Sequence, residues 1–131
     1  MRSIAVFGLG YVGLPTAAVF ASKGMRVVGV DVDVSKVKAV NEGICYVKEP
    51  LLDVLIKEAF SRGVLEATVD GDGAVRQCDA VVLAVPTPVK EGVMDLSFLR
   101  SALEVVRRNL RRDLLVAVSY THLTLPTTER V

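Results

Sequence analysis

The segment "GLGYVG", Gly8 to Gly13, constrains the fold of this chain more than any other stretch. It follows the short apolar run "SIAVF" and precedes an Ala-rich helical pattern, which a glycine at position 24 would end. Glycines at this spacing permit a tight turn at Gly8, close approach of another molecule at Gly10, and close packing of helix on strand at Gly13. We therefore predict that the chain begins with a strand, a glycine turn and a helix.

The remaining sequence repeats this alternation of strand and helix. Strands are predicted at 26–31, 64–70, 79–86 and from 113 onward, and helices at 35–41, 51–62 and 96–110. Residues 71–78 are predicted as a turn, with a single helical turn as the alternative, and residues 88–95 as a loop. Such alternation predicts an α/β fold, a doubly wound parallel sheet of the Rossmann type with strand order 3-2-1-4-5. The sixth strand that this fold normally adds has no room in the sequence and is expected to be missing.

The glycine turn and one acidic residue together indicate a dinucleotide site. The N-terminus of the helix after the turn offers N–H groups and partial positive charge to a pyrophosphate. Asp31 ends the second strand, eighteen residues after Gly13, where a carboxylate would accept hydrogen bonds from ribose hydroxyls and repel a 2′-phosphate. NAD is therefore favoured over NADP. Asp33, beyond the strand, is less well placed. The alternative is a turn that binds nothing, with Asp31 as a strand-end cap.

A second candidate contact follows the fourth strand, in "VPTPVK". Ligands of open parallel sheets bind beyond the carboxyl ends of the strands, near the point between strands one and four. Pro86 and Pro88 would stiffen this loop, and Thr87 offers a hydroxyl and a backbone N–H toward the cofactor. The alternative is a rigid loop that makes no contact.

Composition excludes several classes of function. A formal net charge of +1 gives no reason to expect nucleic acid as a partner. Residues 4–22 carry no charge, but their glycines, their proline and the strand pattern that follows argue against a signal peptide or membrane helix. Cys45 and Cys78 lack metal spacing and are expected to be packed side chains in a reduced, cytoplasmic compartment. No metal site and no membrane association are predicted.

Four segments together resemble a known family. They are "VFGLGYVGLPTAAVFASKG", "VVGVDVDVSKV", "NEGICYVKEPLL" and "DAVVLAVPTPVK", and they resemble the N-terminal NAD-binding domain of UDP-glucose/GDP-mannose dehydrogenases. The resemblance extends over residues 1 to about 117. The segment "GICYVKEPLL" is most similar to UDP-N-acetyl-mannosamine dehydrogenases, because the UDP-glucose branch more often has Gly-Leu after the Glu-Pro pair.

The resemblance implies a two-step, four-electron oxidation of the 6-hydroxyl of a UDP-sugar to a carboxylate, with two NAD molecules, by a homo-oligomeric parent protein. Tyr11 and Val12 match the pyrophosphate turn, Asp31 the ribose contact, Lys36 the adenosine side and Thr87 the nicotinamide half. For Lys36 an ordinary exposed helix lysine is the alternative.

The family's catalytic cysteine, lysine and aspartate and its UDP-sugar residues would all lie downstream of position 131. No catalytic residue is therefore assigned in this chain, and the chain alone is expected to be inactive. Two other classes stay open: a non-catalytic NAD-binding regulatory domain, and another NAD-dependent dehydrogenase of the hydroxyacid type. The missing sixth strand argues against the first, and "VPTPVK" and "YVKEP" argue against the second.

The last fourteen residues, "VSYTHLTLPTTERV", lack the helical period expected after a fifth strand. They resemble a translated sequencing adapter. We therefore divide the chain into a partial NAD-binding domain, residues 1–117, and a non-native tail, residues 118–131. His122, the only histidine, has no expected role in catalysis or metal binding.

Overall fold

The structure is a computed structural model that describes residues 2–119. Seven strands and five helices lie within this range: β1 (Ser3–Phe7), α1 (Gly13–Ser22), β2 (Arg26–Val30), α2 (Val34–Asn41), α3 (Leu52–Arg62), β3 (Leu65–Thr68), α4 (Gly71–Gln77), β4 (Ala80–Leu83), β5 (Val89–Lys90), β6 (Val93–Met94), α5 (Ser97–Arg108) and β7 (Leu115–Val118).

Five strands form one parallel sheet in the order β3-β2-β1-β4-β7. This confirms the predicted doubly wound topology, in which β7 is the fifth strand of the series. Among residues 2–119, β7 pairs with β4 alone, and the side chains of Leu115 and Val118 are 55% and 44% exposed. Of the predicted tail, Val118 belongs to β7, whereas positions 120–131 lie outside the described residues.

The sheet separates two hydrophobic clusters. Ile4 and Val6 of β1 face the cluster formed with α1, α2 and α3, and Ala5 and Phe7 face the cluster formed with α4 and α5. All five residues of β1 are buried. A parallel strand covered by helices on both faces is expected to be apolar throughout, which explains why the run "SIAVF" has no polar–apolar alternation.

The charge-free run at 4–22 divides into β1, the glycine turn and α1. Within residues 2–119, no helix has the length and apolar character needed to cross a membrane.

Two segments have more regular structure than predicted, 71–78 beyond a turn or single helical turn and 88–95 beyond a loop. Residues 71–77 form α4, whose first turn is capped by Asp70, since its carboxylate accepts the Gly73 N–H at 3.0 Å. Residues 89–94 form the hairpin β5–β6, with Glu91 at φ +51° and Gly92 at φ +78°. Two successive left-handed residues give a type I′ turn, which matches the twist of paired strands.

The helical spacing at 96–110 predicts that Leu99, Leu103, Val106 and Leu110 lie on the buried side of α5, and this prediction is partly wrong. Leu99 and Val106 are buried as expected, and Ala102 lies between them. Leu103 is 42% exposed because it lies at the flank of this face, and Leu110 is 64% exposed because α5 ends at Arg108.

Candidate functional site

The three glycines of the turn meet three different environments. Gly8 has φ +95°, and a Cβ added there would lie 2.6 Å from the carbonyl oxygen of Ala84. A Cβ at Gly13 would overlap the carbonyl oxygen of Gly8. A Cβ at Gly10 would meet no protein atom within 4 Å. The fold therefore requires glycine at positions 8 and 13, whereas the space in front of Gly10 is open.

That open space belongs to a cleft of about 860 Å³ at the carboxyl ends of the parallel strands. Seven of the eight residues predicted for cofactor binding line it, namely Gly8, Gly10, Tyr11, Val12, Asp31, Lys36 and Thr87. The eighth, Gly13, is buried at the start of α1 behind the turn. The fold thus brings residues from β1, β2, α2 and β4 to one cavity.

The turn presents backbone donors to the cleft. Within residues 2–119, the N–H groups of Gly10, Tyr11 and Val12 have no backbone acceptor, because α1 begins only at Gly13. Tyr11 is 82% exposed at the cleft wall. Unpaired N–H groups at the start of a helix, together with the helix dipole, form a suitable environment for phosphate.

Asp31 is fixed at the end of β2 by two backbone groups. Its Oδ2 accepts the Leu9 N–H at 2.8 Å, and its Oδ1 accepts the Asp33 N–H at 2.9 Å. Each carboxylate oxygen retains acceptor capacity for another hydrogen bond. The group is therefore oriented before any ligand arrives and can accept ribose hydroxyls, while its charge opposes a 2′-phosphate.

Asp33 has a structural role instead. It caps α2, and its Oδ1 accepts the Ser35 N–H at 2.9 Å and the Ser35 hydroxyl at 2.6 Å. These hydrogen bonds lower the pKa of Asp33. The cap starts α2 beside the cleft, so that Lys36 in the first turn of this helix lies in the cleft lining.

The opposite wall combines the loop after β4 with the beginning of α5. Thr87 is half-buried between Pro86 and Pro88, and all three line the cleft. Phe98 and Ser101 of α5 also line it. Sequence reasoning did not assign these two residues, because nothing in a helix pattern shows which residues of its first turns face a distant strand end.

Sequence reasoning also missed two residues behind the turn, Leu9 and Tyr46. Leu9 is fully buried, and its carbonyl oxygen accepts the Tyr46 hydroxyl at 2.7 Å. Burial, with the nearby charges of Asp31 and Asp33, raises the pKa of Tyr46. Leu9 occupies a variable position of the glycine motif, and Tyr46 is 37 residues away in the loop between α2 and α3, so no short-range pattern links them.

Both cysteines are packed as predicted. Cys78 is 1% exposed, and burial raises the pKa of its thiol. Cys45 is half-buried and donates its thiol hydrogen to the carbonyl oxygen of Val47 at 3.2 Å.

A parallel sheet in this order, with a glycine turn between β1 and α1 and an acid after β2, defines a dinucleotide-binding domain of the Rossmann class. The chain belongs to the UDP-glucose/GDP-mannose dehydrogenase family, whose NAD binding domain matches residues 2–131. The cofactor of this domain is NAD. The open space at Gly10, the unpaired N–H groups and the oriented Asp31 fit its pyrophosphate and ribose.

Two curated relatives are each 41% identical over 121 residues: an NDP-N-acetyl-D-galactosaminuronic acid dehydrogenase of Ralstonia nicotianae and a UDP-N-acetyl-D-mannosamine dehydrogenase of Yersinia pestis. Each match covers 92% of this chain and 28% of the relative, so the chain spans little more than a quarter of their length. Among solved structures, GDP-mannose dehydrogenase of Pseudomonas aeruginosa superposes with a TM-score of 0.82 at 31% identity, over 92% of this chain and 29% of that one.

Proposed function

We propose that this chain is the NAD-binding part of a nucleotide-sugar dehydrogenase that oxidises the 6-hydroxyl of a UDP-sugar to the carboxylate. Membership of the family supports the reaction class. The observation that carries NAD binding is Gly10, because a glycine that the protein itself does not require opens onto the cleft. A motif glycine of this kind is explained by close approach of a pyrophosphate to the backbone.

In this proposal each residue of the cleft has a defined contact. The N–H groups of Gly10, Tyr11 and Val12 bind the pyrophosphate, and Asp31 binds the adenosine ribose. Lys36 lies beside the adenosine. Thr87 lies near the nicotinamide half, on the opposite wall. When bound, NAD supplies the acceptor for a hydride from the sugar, and the groups that act on the sugar belong to the longer parent protein.

For the substrate we favour UDP-N-acetyl-mannosamine, with UDP-glucose next. The relative from Yersinia pestis is a UDP-N-acetyl-D-mannosamine dehydrogenase, and the relative from Ralstonia nicotianae is also named for an N-acetylated sugar. The pair Leu51-Leu52 in place of Gly-Leu supports the same choice. The proposal includes a cytoplasmic, homo-oligomeric parent protein, on the strength of the family resemblance.

Calorimetric titration of the purified chain with NAD and with NADP tests cofactor binding. NAD is expected to bind more tightly than NADP, because a 2′-phosphate would meet the charge of Asp31. Failure of both to bind would reject the proposal for this cleft.

The reaction is tested on the full-length gene product. We expect two molecules of NADH per molecule of UDP-N-acetyl-mannosamine oxidised, and slower turnover of UDP-glucose. If no NADH forms with either sugar, the substrate assignment is rejected. Binding of NAD by the isolated chain is a separate result and would stand.

A further inference from the structure

We propose that Tyr46 is a positioning residue for the pyrophosphate site and acts through the backbone of Leu9. This inference rests on the proposed binding of NAD in the cleft. It assigns a role to a residue outside the cleft, since Tyr46 is absent from the cleft lining within residues 2–119.

Leu9 is held at three points. Its N–H donates to Oδ2 of Asp31 at 2.8 Å, and its carbonyl oxygen accepts the Tyr46 hydroxyl at 2.7 Å. Its side chain packs against Gly29 of β2, where an added Cβ would lie 2.8 Å from Leu9 Cδ2. Both peptide groups that flank the Leu9 α-carbon are therefore held by a hydrogen bond, and the side chain is fully buried against β2.

Leu9 is followed by Gly10, Tyr11 and Val12, whose N–H groups have no backbone acceptor in the part of the chain that the structure describes. The carbonyl of Leu9 and the N–H of Gly10 belong to the same planar peptide unit. The hydrogen bond from Tyr46 therefore fixes the direction of the Gly10 N–H, and through it the start of the phosphate-binding turn. Gly10 has little intrinsic preference for one backbone conformation, so this orientation must come from neighbouring groups.

Tyr46 is itself held firmly. It packs at the edge of the cluster on the α1 side of the sheet, next to the buried residue Val47. Burial and the charges of Asp31 and Asp33 raise the pKa of its hydroxyl, so the group remains a hydrogen-bond donor throughout the neutral range. Without this donor the Leu9 carbonyl would lose its partner, and the peptide would be free to rotate toward water.

The test compares Tyr46→Phe with wild type in the full chain, using ADP-ribose and adenosine as probes. Loss of one neutral hydrogen bond that orients the turn should weaken ADP-ribose binding about 3- to 10-fold. Adenosine lacks the pyrophosphate, so its dissociation constant, followed by NMR titration, should stay unchanged. Gly29→Ala, which displaces the Leu9 side chain, should also lower the affinity for ADP-ribose but not for adenosine. This variant tests the role of the Leu9 backbone if Tyr46→Phe does not fold.

Asn41→Ala is the matched control. Asn41 also makes side-chain hydrogen bonds to backbone, with the N–H and carbonyl of Ala67 at 2.8 and 2.9 Å, but it lies at the far end of α2 and outside the cleft lining. The Asn41→Ala variant should have a lower melting temperature but unchanged dissociation constants for ADP-ribose and adenosine. Equal affinities of wild type and a folded Tyr46→Phe variant for ADP-ribose would overturn the role of Tyr46. Absence of binding by wild type would instead overturn the proposed function.

Discussion

The α-carbon of Gly13 faces the carbonyl oxygen of Gly8 so closely that no side chain fits between them. Helix α1 and strand β1 are thus joined at their closest point by two glycines, while Gly10 between them faces the open cleft. The glycines of this motif therefore have different roles, and mutation can separate these roles.

Alanine substitutions should divide the motif into a folding part and a binding part. Gly13→Ala forces backbone to move and should destabilise the domain by about 3 kcal/mol or more. Gly10→Ala should leave the thermal unfolding transition nearly unchanged. It should lower the affinity for NAD at least about tenfold, or 1.4 kcal/mol, because the new methyl group occupies the pyrophosphate position. Unfolding by circular dichroism and calorimetric titration measure the two effects. A well-folded Gly13→Ala, or a Gly10→Ala variant that binds NAD normally, would contradict this division.

Replacing Asp31 should change the choice of cofactor. Asp31→Asn removes the charge that opposes a 2′-phosphate, and an amide can accept at one oxygen only, so one of the two backbone bonds is lost. NAD affinity should fall about tenfold, in line with about 1.5 kcal/mol for a hydrogen bond to a charged group, and the ratio of NADP to NAD affinity should rise. Asp79→Asn, at the amino end of β4 and away from the cleft, should leave that ratio unaltered.

Acid should weaken the contact between α4 and α5. Asp72 accepts hydrogen bonds from Arg108 and Asn109, which lower its pKa from 3.8 to about 2. Because the folded-state pKa lies below the unfolded value, this contribution to stability is complete above the unfolded pKa and is lost as the pH falls toward 2. Arg108→Gln should therefore reduce the loss of melting temperature between about pH 4 and pH 2.

The matched control for the acid experiment is Arg112→Gln. Arg112 is exposed and makes no ion pair among residues 2–119. Its removal should reproduce the wild-type dependence on pH. If Arg108→Gln also follows the wild-type curve, the Asp72 contact does not contribute to acid sensitivity.

Leu51 should be a site where glycine increases stability. It precedes α3 with φ +67°, and its side chain is 72% exposed. A left-handed conformation costs a leucine about 1 to 2 kcal/mol, and glycine avoids most of this while losing about 0.5 to 1 kcal/mol more conformational entropy on folding. Leu51→Gly should raise the melting temperature by about 2 to 5 °C. Lys57→Gly, at an exposed position inside α3, should instead cost about 1 kcal/mol.

The sequence predicted the sheet order because apolar runs alternating with helical patterns leave few topologies. At 71–78 it predicted a turn or a single helical turn where the whole of α4 forms, since Gly71 and Gly73 have low helix propensity. Burial of Ala74 and Val75 against the sheet stabilises the helix, and Gly71 leaves space for Phe7, whose ring would lie 3.0 Å from an added Cβ. The preference of isolated residues was thus overridden by packing that no local pattern reveals.

The residues that line the cleft were predictable where the chemistry is confined to a motif. The glycine turn, Asp31 and Thr87 follow strand ends, and all strand ends of a parallel sheet converge on one edge. Leu9 and Tyr46 could not be found in this way, because their hydrogen bond depends on where the loop between α2 and α3 packs. Long-range contacts between a loop and a turn are set by the folded surface rather than by spacing along the chain.

The two walls of the cleft adjoin segments whose amide hydrogens should exchange with solvent by different routes. The glycine turn continues directly from β1, which is fully buried and paired on both sides, so the amide hydrogens of β1 should exchange only on global unfolding. The hairpin β5–β6, just beyond Thr87, is made of exposed residues and should exchange through local opening. The wall at the glycine turn is therefore fixed before any ligand arrives, whereas the wall at Thr87 adjoins a segment that can open locally.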